Sequence, residues 1–275
     1  MTGTTAGNGD TLTCSGRFAG ETLVSLKGVD KTFANQVTAL SGLNLDIRAG
    51  EFLSLLGPSG CGKSTVLRLL SGLMSPSQGE IQWKIERPEL GFVFQDATLT
   101  PWSDVFSNVW LPLRLAGVSK SAARSRVEEA LTKVGLSGFE KAYPRQLSGG
   151  MKMRVSIARA LVTRPTMLLM DEPFAALDEI TRVKLNDDLA SLQASMGASV
   201  VFVTHSVFES VYLSHRIVVM AARPGRAVAE IRVDAPTPRR EDFRLTEAFA
   251  ATCRQASLAL HEAMGADASN SGTVL

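Results

Sequence analysis

"LNLDIRAGEFLSLLGPSGCGKSTVLRLLSGL", residues 43 to 73, changes character twice. Apolar and polar residues alternate from Leu43 to Ile47, the run becomes continuously apolar towards Leu56, and a glycine-rich stretch follows. Beyond it Val66, Leu67, Leu69, Leu70 and Leu73 recur at helical spacing. Strands explain the first part and an amphipathic helix the last, so the unit is strand, loop, helix, with the strand run ending at Gly57. The loop Gly57-Pro58-Ser59-Gly60-Cys61-Gly62-Lys63-Ser64 fits G-x-x-x-x-G-K-[ST], a pattern whose glycines let backbone N–H groups wrap phosphates. Lys63 would reach the outer phosphates, and Ser64 would offer a hydroxyl to Mg²⁺. Cys61 reads as a small filler in the loop, since no base accompanies it in sequence.

Outward from this unit the pattern repeats. "LVSLKGVDKTF" (23–33) reads as a strand, "TMLLMDEP" (166–173) and "ASVVFVTH" (198–205) as short buried strands, and "ITRVKLNDDLASLQASMG" (180–197) as a helix between them. Strands alternating with helices imply an α/β fold with a mainly parallel sheet and right-handed crossovers. From about 97 to 165 the pattern is mainly helical, as in "AARSRVEEALTKVG" (122–135), where Val127, Ala130, Leu131 and Val134 share one face before Gly135. "RIVVMAARPGRAVAEIRV" (216–233) reads as two strands around Pro224-Gly225, and the tail carries one helix and a polar end.

Strand ends are where an α/β sheet collects its ligands, and three of these strands finish on polar residues. Asp171 and Glu172 follow "TMLLM"; Asp171 would hold Mg²⁺ through water, and Glu172 would polarise the water attacking a γ-phosphate. His205 follows "VVFVT", where it could donate to phosphate or orient water. Gln95 ends the strand in "GFVFQD", and its amide oxygen could reach the metal or the water. His215 and His261 lack such a setting and read as structural. "RQLSGGMKMR" (145–154) adds a helix start made bare by Ser148, Gly149 and Gly150, with open N–H groups suited to an anion.

Composition limits the alternatives. The 275 residues are 45% hydrophobic and 20% charged, enough to bury a full core, and a net charge of +2 without a basic stripe argues against nucleic acid as a partner. Cys14, Cys61 and Cys253 are too scattered for a disulfide framework or a CxxC metal site, which points to a reducing compartment. The polar, Gly/Thr-rich first 20 residues read as a disordered lead-in rather than an export signal. The longest apolar runs, such as "IVVMAA" (217–222), fall far short of a bilayer span.

Taken in order, "GPSGCGKST", Gln95, "LSGGM", "MLLMDEP", "ALD" (176–178) and His205 resemble the ATP-binding subunit of ABC transporters over about residues 21 to 230. The resemblance implies a P-loop NTPase: a mainly parallel sheet core, an antiparallel β subdomain and a helical subdomain (about 97–165), within an ATPase domain at 21–235 followed by a C-terminal helix and tail at 236–275. It implies ATP and Mg²⁺ as ligands. Gly57 to Thr65 would cradle the phosphates, Ser64, Gln95 and Asp171 would serve the metal, and Lys63, Gln95, Glu172 and His205 would serve hydrolysis. Phe33 would stack on adenine. Two copies would pair head to tail, each placing its Ser148, Gly149 and Gly150 on the nucleotide of the other, with Asp178 linking the two sites. Met151 departs from the family, which most often has Gln there.

"DATLTPWSDVFSNVWLPLRLAG" (96–117) is similar to importer subunits of the nitrate, sulfonate and taurine group, in which a Pro-Trp pair follows the glutamine. On that likeness Pro101, Trp102 and Phe106 would help form a groove for a membrane permease subunit. A solute-binding protein outside the membrane would act indirectly, and the chain would sit on the cytoplasmic face of the membrane. An exporter ATPase and a soluble ABC ATPase unconnected with transport remain the alternative readings.

Overall fold

The computed structural model describes residues 20–86, 88–236 and 239–270, with side chains to residue 265. Cys14, the lead-in up to residue 19 and the polar end from 271 lie outside the described residues. In chain order the elements are β1 (Thr22–Thr32), β2 (Thr38–Arg48), β3 (Phe52–Leu56), α1 (Lys63–Leu70), β4 (Gln78–Trp83) and β5 (Leu90–Val93). Then come α2 (Val105–Leu115), α3 (Lys120–Lys133), α4 (Gly149–Leu161), β6 (Met167–Asp171), α5 (Glu179–Met196) and β7 (Ser199–Thr204). The chain closes with α6 (Val207–Leu213), β8 (Arg216–Ala221), β9 (Arg226–Arg232) and α7 (Glu247–Asn270).

The strands form two sheets. One is antiparallel, in the order β2-β1-β4; the other runs β5-β6-β7-β3-β8-β9, parallel throughout except for the β8–β9 hairpin. The change of pattern within residues 43–57 marks the passage from one sheet to the other. Alternating β2 buries Leu43, Leu45 and Ile47 and exposes Asn44 and Asp46, whereas every residue of β3 is buried. A single run expected to end at Gly57 is therefore two strands, separated by a turn with Gly50 at φ +71°. Leu73, expected on the helix face, is 66% exposed, because α1 stops at Leu70 and Gly72 takes φ +73°.

The central sheet separates two cores. Leu53, Leu55, Val201 and Val203 point towards α1 and the antiparallel sheet. Phe52, Leu56 and Phe202 point the other way, into a cluster that includes α4, α6 and α7 residues, with Phe202 packed between Phe52 and Phe174 at ring separations of 5.8 and 5.9 Å. Side-chain caps start the helices where short polar residues precede them: Asp104 accepts from Ser107 N at 2.7 Å, Asp178 from Thr181 N at 2.9 Å, and Ser206 from Glu209 N at 3.3 Å. Buried Arg239 anchors the segment leading to α7 by donating to the carbonyls of Tyr212, Ser214, Ala235 and Pro236.

At the edge of the sheet opposite the phosphate loop, Glu51 and Arg216 form a buried pair, with Arg216 Nε 2.7 Å from Glu51 Oε1. Beside them His215 Nδ1 accepts from Phe52 N at 2.9 Å, a bond only the unprotonated nitrogen can make. Burial, reinforced by Arg239, pushes the His215 pKa down to about 4. An unfolded chain takes up this proton below about pH 6.5 while the folded one refuses it until about pH 4, so stability falls as pH drops through that window. The loss is on the order of 3 kcal/mol or less. In urea unfolding at pH 7 and pH 5, His215→Gln, which keeps an acceptor for Phe52 N, is expected to show a smaller drop between the two pH values than the parent.

Candidate functional site

Parallel register assembles the site. Leu56 on β3 pairs with Thr204 on β7, and Asp171 on β6 pairs with Val203, so the loop after Gly57, Glu172 and His205 emerge side by side at one sheet edge. Gln95, two residues past β5, emerges at the same edge beyond β6, and its side chain is exposed.

The loop is closely built around its glycines. A Cβ on Gly57 would lie 2.6 Å from Met220 O and 2.7 Å from Cys61 Sγ; one on Gly62, at φ +89°, would lie 2.8 Å from Ala39 O. Cys61 is buried and its thiol is pushed up by desolvation, against the pull of Lys63, which suits a filler rather than a nucleophile. Lys63 is 4% exposed, and its Nζ donates to neutral groups of the loop, Gly57 O at 2.7 Å, Pro58 O at 2.9 Å and Cys61 Sγ at 3.8 Å. Glu172 Oε1 is 3.8 Å away. A buried ammonium at the uncapped start of α1, among backbone N–H groups, is built to receive an anion.

Asp171 Oδ1 accepts from Ser64 Oγ at 2.8 Å. Burial raises the Asp171 pKa, the Ser64 hydrogen bond opposes the rise, and neighbouring Glu172 adds to it. A hydroxyl and a partly desolvated carboxylate side by side at the loop are hard oxygen donors of the kind Mg²⁺ takes, so these residues fit that ion.

Glu172 adopts φ +44°, a left-handed conformation that costs a non-glycine residue on the order of 1–3 kcal/mol. Its own N–H donates to Val203 O at 3.0 Å, and its carbonyl accepts from Ala175 N at 3.1 Å, bonds that hold the turn. As a result the carboxylate stands between Lys63 and His205, whose Nδ1 is 3.1 Å from Glu172 Oε2.

The other expected residues sit around this centre. Phe33 is half-buried in the turn joining β1 and β2, and Ala39 in the same hairpin contacts the phosphate loop through Gly62. Ser148 caps α4 by accepting from Met151 N at 3.2 Å. Ser148 and Gly149 are exposed, and the glycines that follow Ser148 pack on α5 and its approach: a Gly149 Cβ would touch Leu177, and one on Gly150 would lie 2.7 Å from Thr181 Cγ2. Met151 turns its side chain onto the adjoining core. Asp178 caps α5 from a fully exposed position, and the Thr181 N–H holds its carboxyl below the usual range. Phe106, expected in a docking groove, is 7% exposed and belongs to the core of the helical region, while Trp102 is 78% exposed. His261 is exposed on α7.

Two sets of residues escaped the sequence reading. Arg159 on α4 donates to Ala97 O, Thr98 O and Thr98 Oγ1, each at 2.9 Å, and fully buried Asn108 on α2 binds Thr100, Ser103 and Asp104, so the segment after Gln95 is fastened to two helices. Arg182 and Glu209 form a second set beneath His205. Neither set lies in a short motif, and only Arg159, between Ala158 and Ala160, stands out in sequence as a charge among apolar neighbours.

Residues 40–175 match the family model described as ABC transporter. An ATP-binding protein of Brucella abortus is 49% identical over 218 residues, covering 78% of this chain and 84% of that protein. The chain belongs to the ABC transporter ATP-binding family. Within it, the aliphatic sulfonates import ATP-binding protein of Pseudomonas syringae is 44% identical over 221 residues, covering 80% of this ABC chain and 89% of its relative. The dimeric post-hydrolysis structure of the ATP-binding cassette MJ0796, bound to ADP and Pi, superposes with a TM-score of 0.68 at 36% identity, covering 77% of this chain and 99% of that one. The ABC chain is thus an ATP-hydrolysing enzyme with the expected fold. Gly62→Ala, which places a Cβ against Ala39 at a left-handed position, is expected to weaken nucleotide binding about tenfold or more, measured by titration with a fluorescent ATP analogue.

Proposed function

We propose that this ABC ATPase powers the import of a small anionic solute of the sulfonate class, working as a pair of copies docked on membrane permease subunits. The observation that carries the reading is the unequal division of the site. Lys63, Ser64, Asp171, Glu172 and His205 converge in one chain, while the open helix start at Ser148 and Gly149 faces solvent, against Leu177 and Thr181 rather than against the 57–65 loop. An open helix start that lies away from the phosphate loop among the described residues is accounted for by a second copy, whose nucleotide it would cap. The sulfonate-import names of relatives at 42–44% identity support the cargo class, and exposed Trp102 after Gln95 supports a permease contact. Among the described residues no helix is long and apolar enough to cross a membrane, which fits an ATPase attached from the cytoplasmic side, with any solute-binding protein acting through the permease.

In this reading Lys63 and the N–H groups of the phosphate loop orient the β- and γ-phosphates of ATP, with Phe33 against the adenine. Glu172, held in place by its strained backbone and by His205, accepts hydrogen-bond donation from the attacking water and aligns it on the γ-phosphorus. His205 steadies the carboxylate by donating from Nδ1; as the imidazolium, with both ring nitrogens protonated, it would also donate from Nε2 to the γ-phosphate. Ser64, Asp171 and Gln95 would hold Mg²⁺, which when bound neutralises phosphate charge. Asp178 lies near the Ser148 helix start, where the second copy would meet it.

Glu172→Gln is expected to lower kcat by about 10²–10⁴-fold with little change in KM for ATP. A variant hydrolysing ATP at the parent rate would remove Glu172 from this role. With its turnover blocked, the same variant is expected to sediment as a dimer in ATP and as a monomer without it. A monomer in saturating ATP, free and alongside the permease, overturns the two-copy site.

A further inference from the structure

Beneath the site, a buried carboxylate and a partly buried guanidinium that the mechanism leaves unused connect its two working edges. Thr204, the last residue of β7 before His205, donates through Oγ1 to Glu209 Oε2 and accepts from Ser206 N at 2.9 Å through the same atom. Glu209, on α6, is 6% exposed, and its other oxygen, Oε1, faces Arg182 Nε at 3.7 Å. Arg182, on the first turn of α5, donates from Nη2 to Leu177 O at 3.0 Å and pairs through Nη1 with Glu179 Oε2 at 3.3 Å. One chain of contacts therefore runs from the peptide next to His205 to the peptide next to Asp178. Its far end lies under the Ser148 helix start, where Leu177 meets Gly149 and Thr181 meets Gly150.

We propose that Arg182 and Glu209 are positioning residues for hydrolysis, locking the His205 strand end to the Leu177–Asp178 turn so that docking of a second copy at that turn sets the Glu172–His205 pair. The proposal rests on the reading of Glu172 and His205 as the groups that handle water and phosphate. Two features separate this pair from a simple structural bridge. Both partners sit one residue away from an expected site residue, through Thr204 and through Leu177. In addition, Arg182 Nε is buried without a hydrogen-bond partner although a carboxylate oxygen faces it, so the pair is aligned yet not fully closed in the single chain. A planar guanidinium holds the Leu177 carbonyl and faces Glu209 at the same time, which an ammonium cannot do with one fixed geometry.

The test is steady-state ATP hydrolysis by the full chain. Removing Arg182 alone would leave the charge of buried Glu209 stranded, so the informative variants keep the charge balance: Arg182→Lys, and the double variant Arg182→Met with Glu209→Gln, in which Gln still accepts from Thr204. For the double variant the expected result is a melting temperature within a few degrees of the parent, KM for ATP within about twofold and kcat lowered about tenfold or more. Arg182→Lys, which keeps the charge and so the fold, is expected to lose several-fold in kcat at unchanged KM. Parent kcat in Arg182→Lys, or a loss confined to KM or to melting temperature, overturns the proposal. Glu172→Gln assayed alongside separates the two claims: full activity in that variant sinks the water-handling role itself, whatever the Arg182 variants do.

Discussion

Everything at the site depends on the register in which three parallel strands pair. Leu56 lies beside Thr204 and Asp171 beside Val203, and each strand then releases its chain at the same edge: the phosphate loop from β3, Glu172 from β6 and His205 from β7. A slip of one residue would turn the buried side chains of a strand to the opposite face and carry its terminal polar group with them. Continuous burial of β3 and β7, and of β6 up to Met170, is what forbids such a slip. The core therefore fixes the positions of the polar groups at the strand ends, which do not themselves belong to it.

Upon this frame the molecule places charges at a cost in stability. Lys63 is buried with neutral hydrogen-bond partners and a single carboxylate oxygen at 3.8 Å, Asp171 is partly desolvated, and Glu172 takes a left-handed backbone. Each is a poor arrangement for an empty site and a good one for a polyphosphate with its counter-ion, so the unfavourable terms are set to be relieved on binding. The opposite edge shows the contrary policy. There Arg216 is paired with both Glu51 and Glu230, and His215 is kept neutral, so the charges at that edge are held by partners within the chain.

Much of this was legible in the chain because its signals are local. The loop motif needs eight consecutive residues, and "MLLMDE" and "VVFVTH" carry both the buried strand and the polar group that ends it. Where structure departs from expectation, the cause is an event that local pattern does not encode. The run 43–57 crosses from one sheet to the other at a single glycine turn, β4 is a half-exposed strand without clear alternation, and Phe106 is buried in a core assembled from residues distant in sequence. Arg159, Asn108, Arg182 and Glu209 act across 3 to 62 residues of separation, and only the folded chain brings the distant partners to them.

Fastening of residues 97–104 has a mechanical corollary. Arg159 grips the front of this segment from α4 and Asn108 grips its rear from α2, leaving Trp102 prominent between the two anchors. A splint of this kind has no compliant joint in which a push could dissipate. The segment that carries the indole is thus tied to both helices, and the Ser148 tip is the far end of one of them.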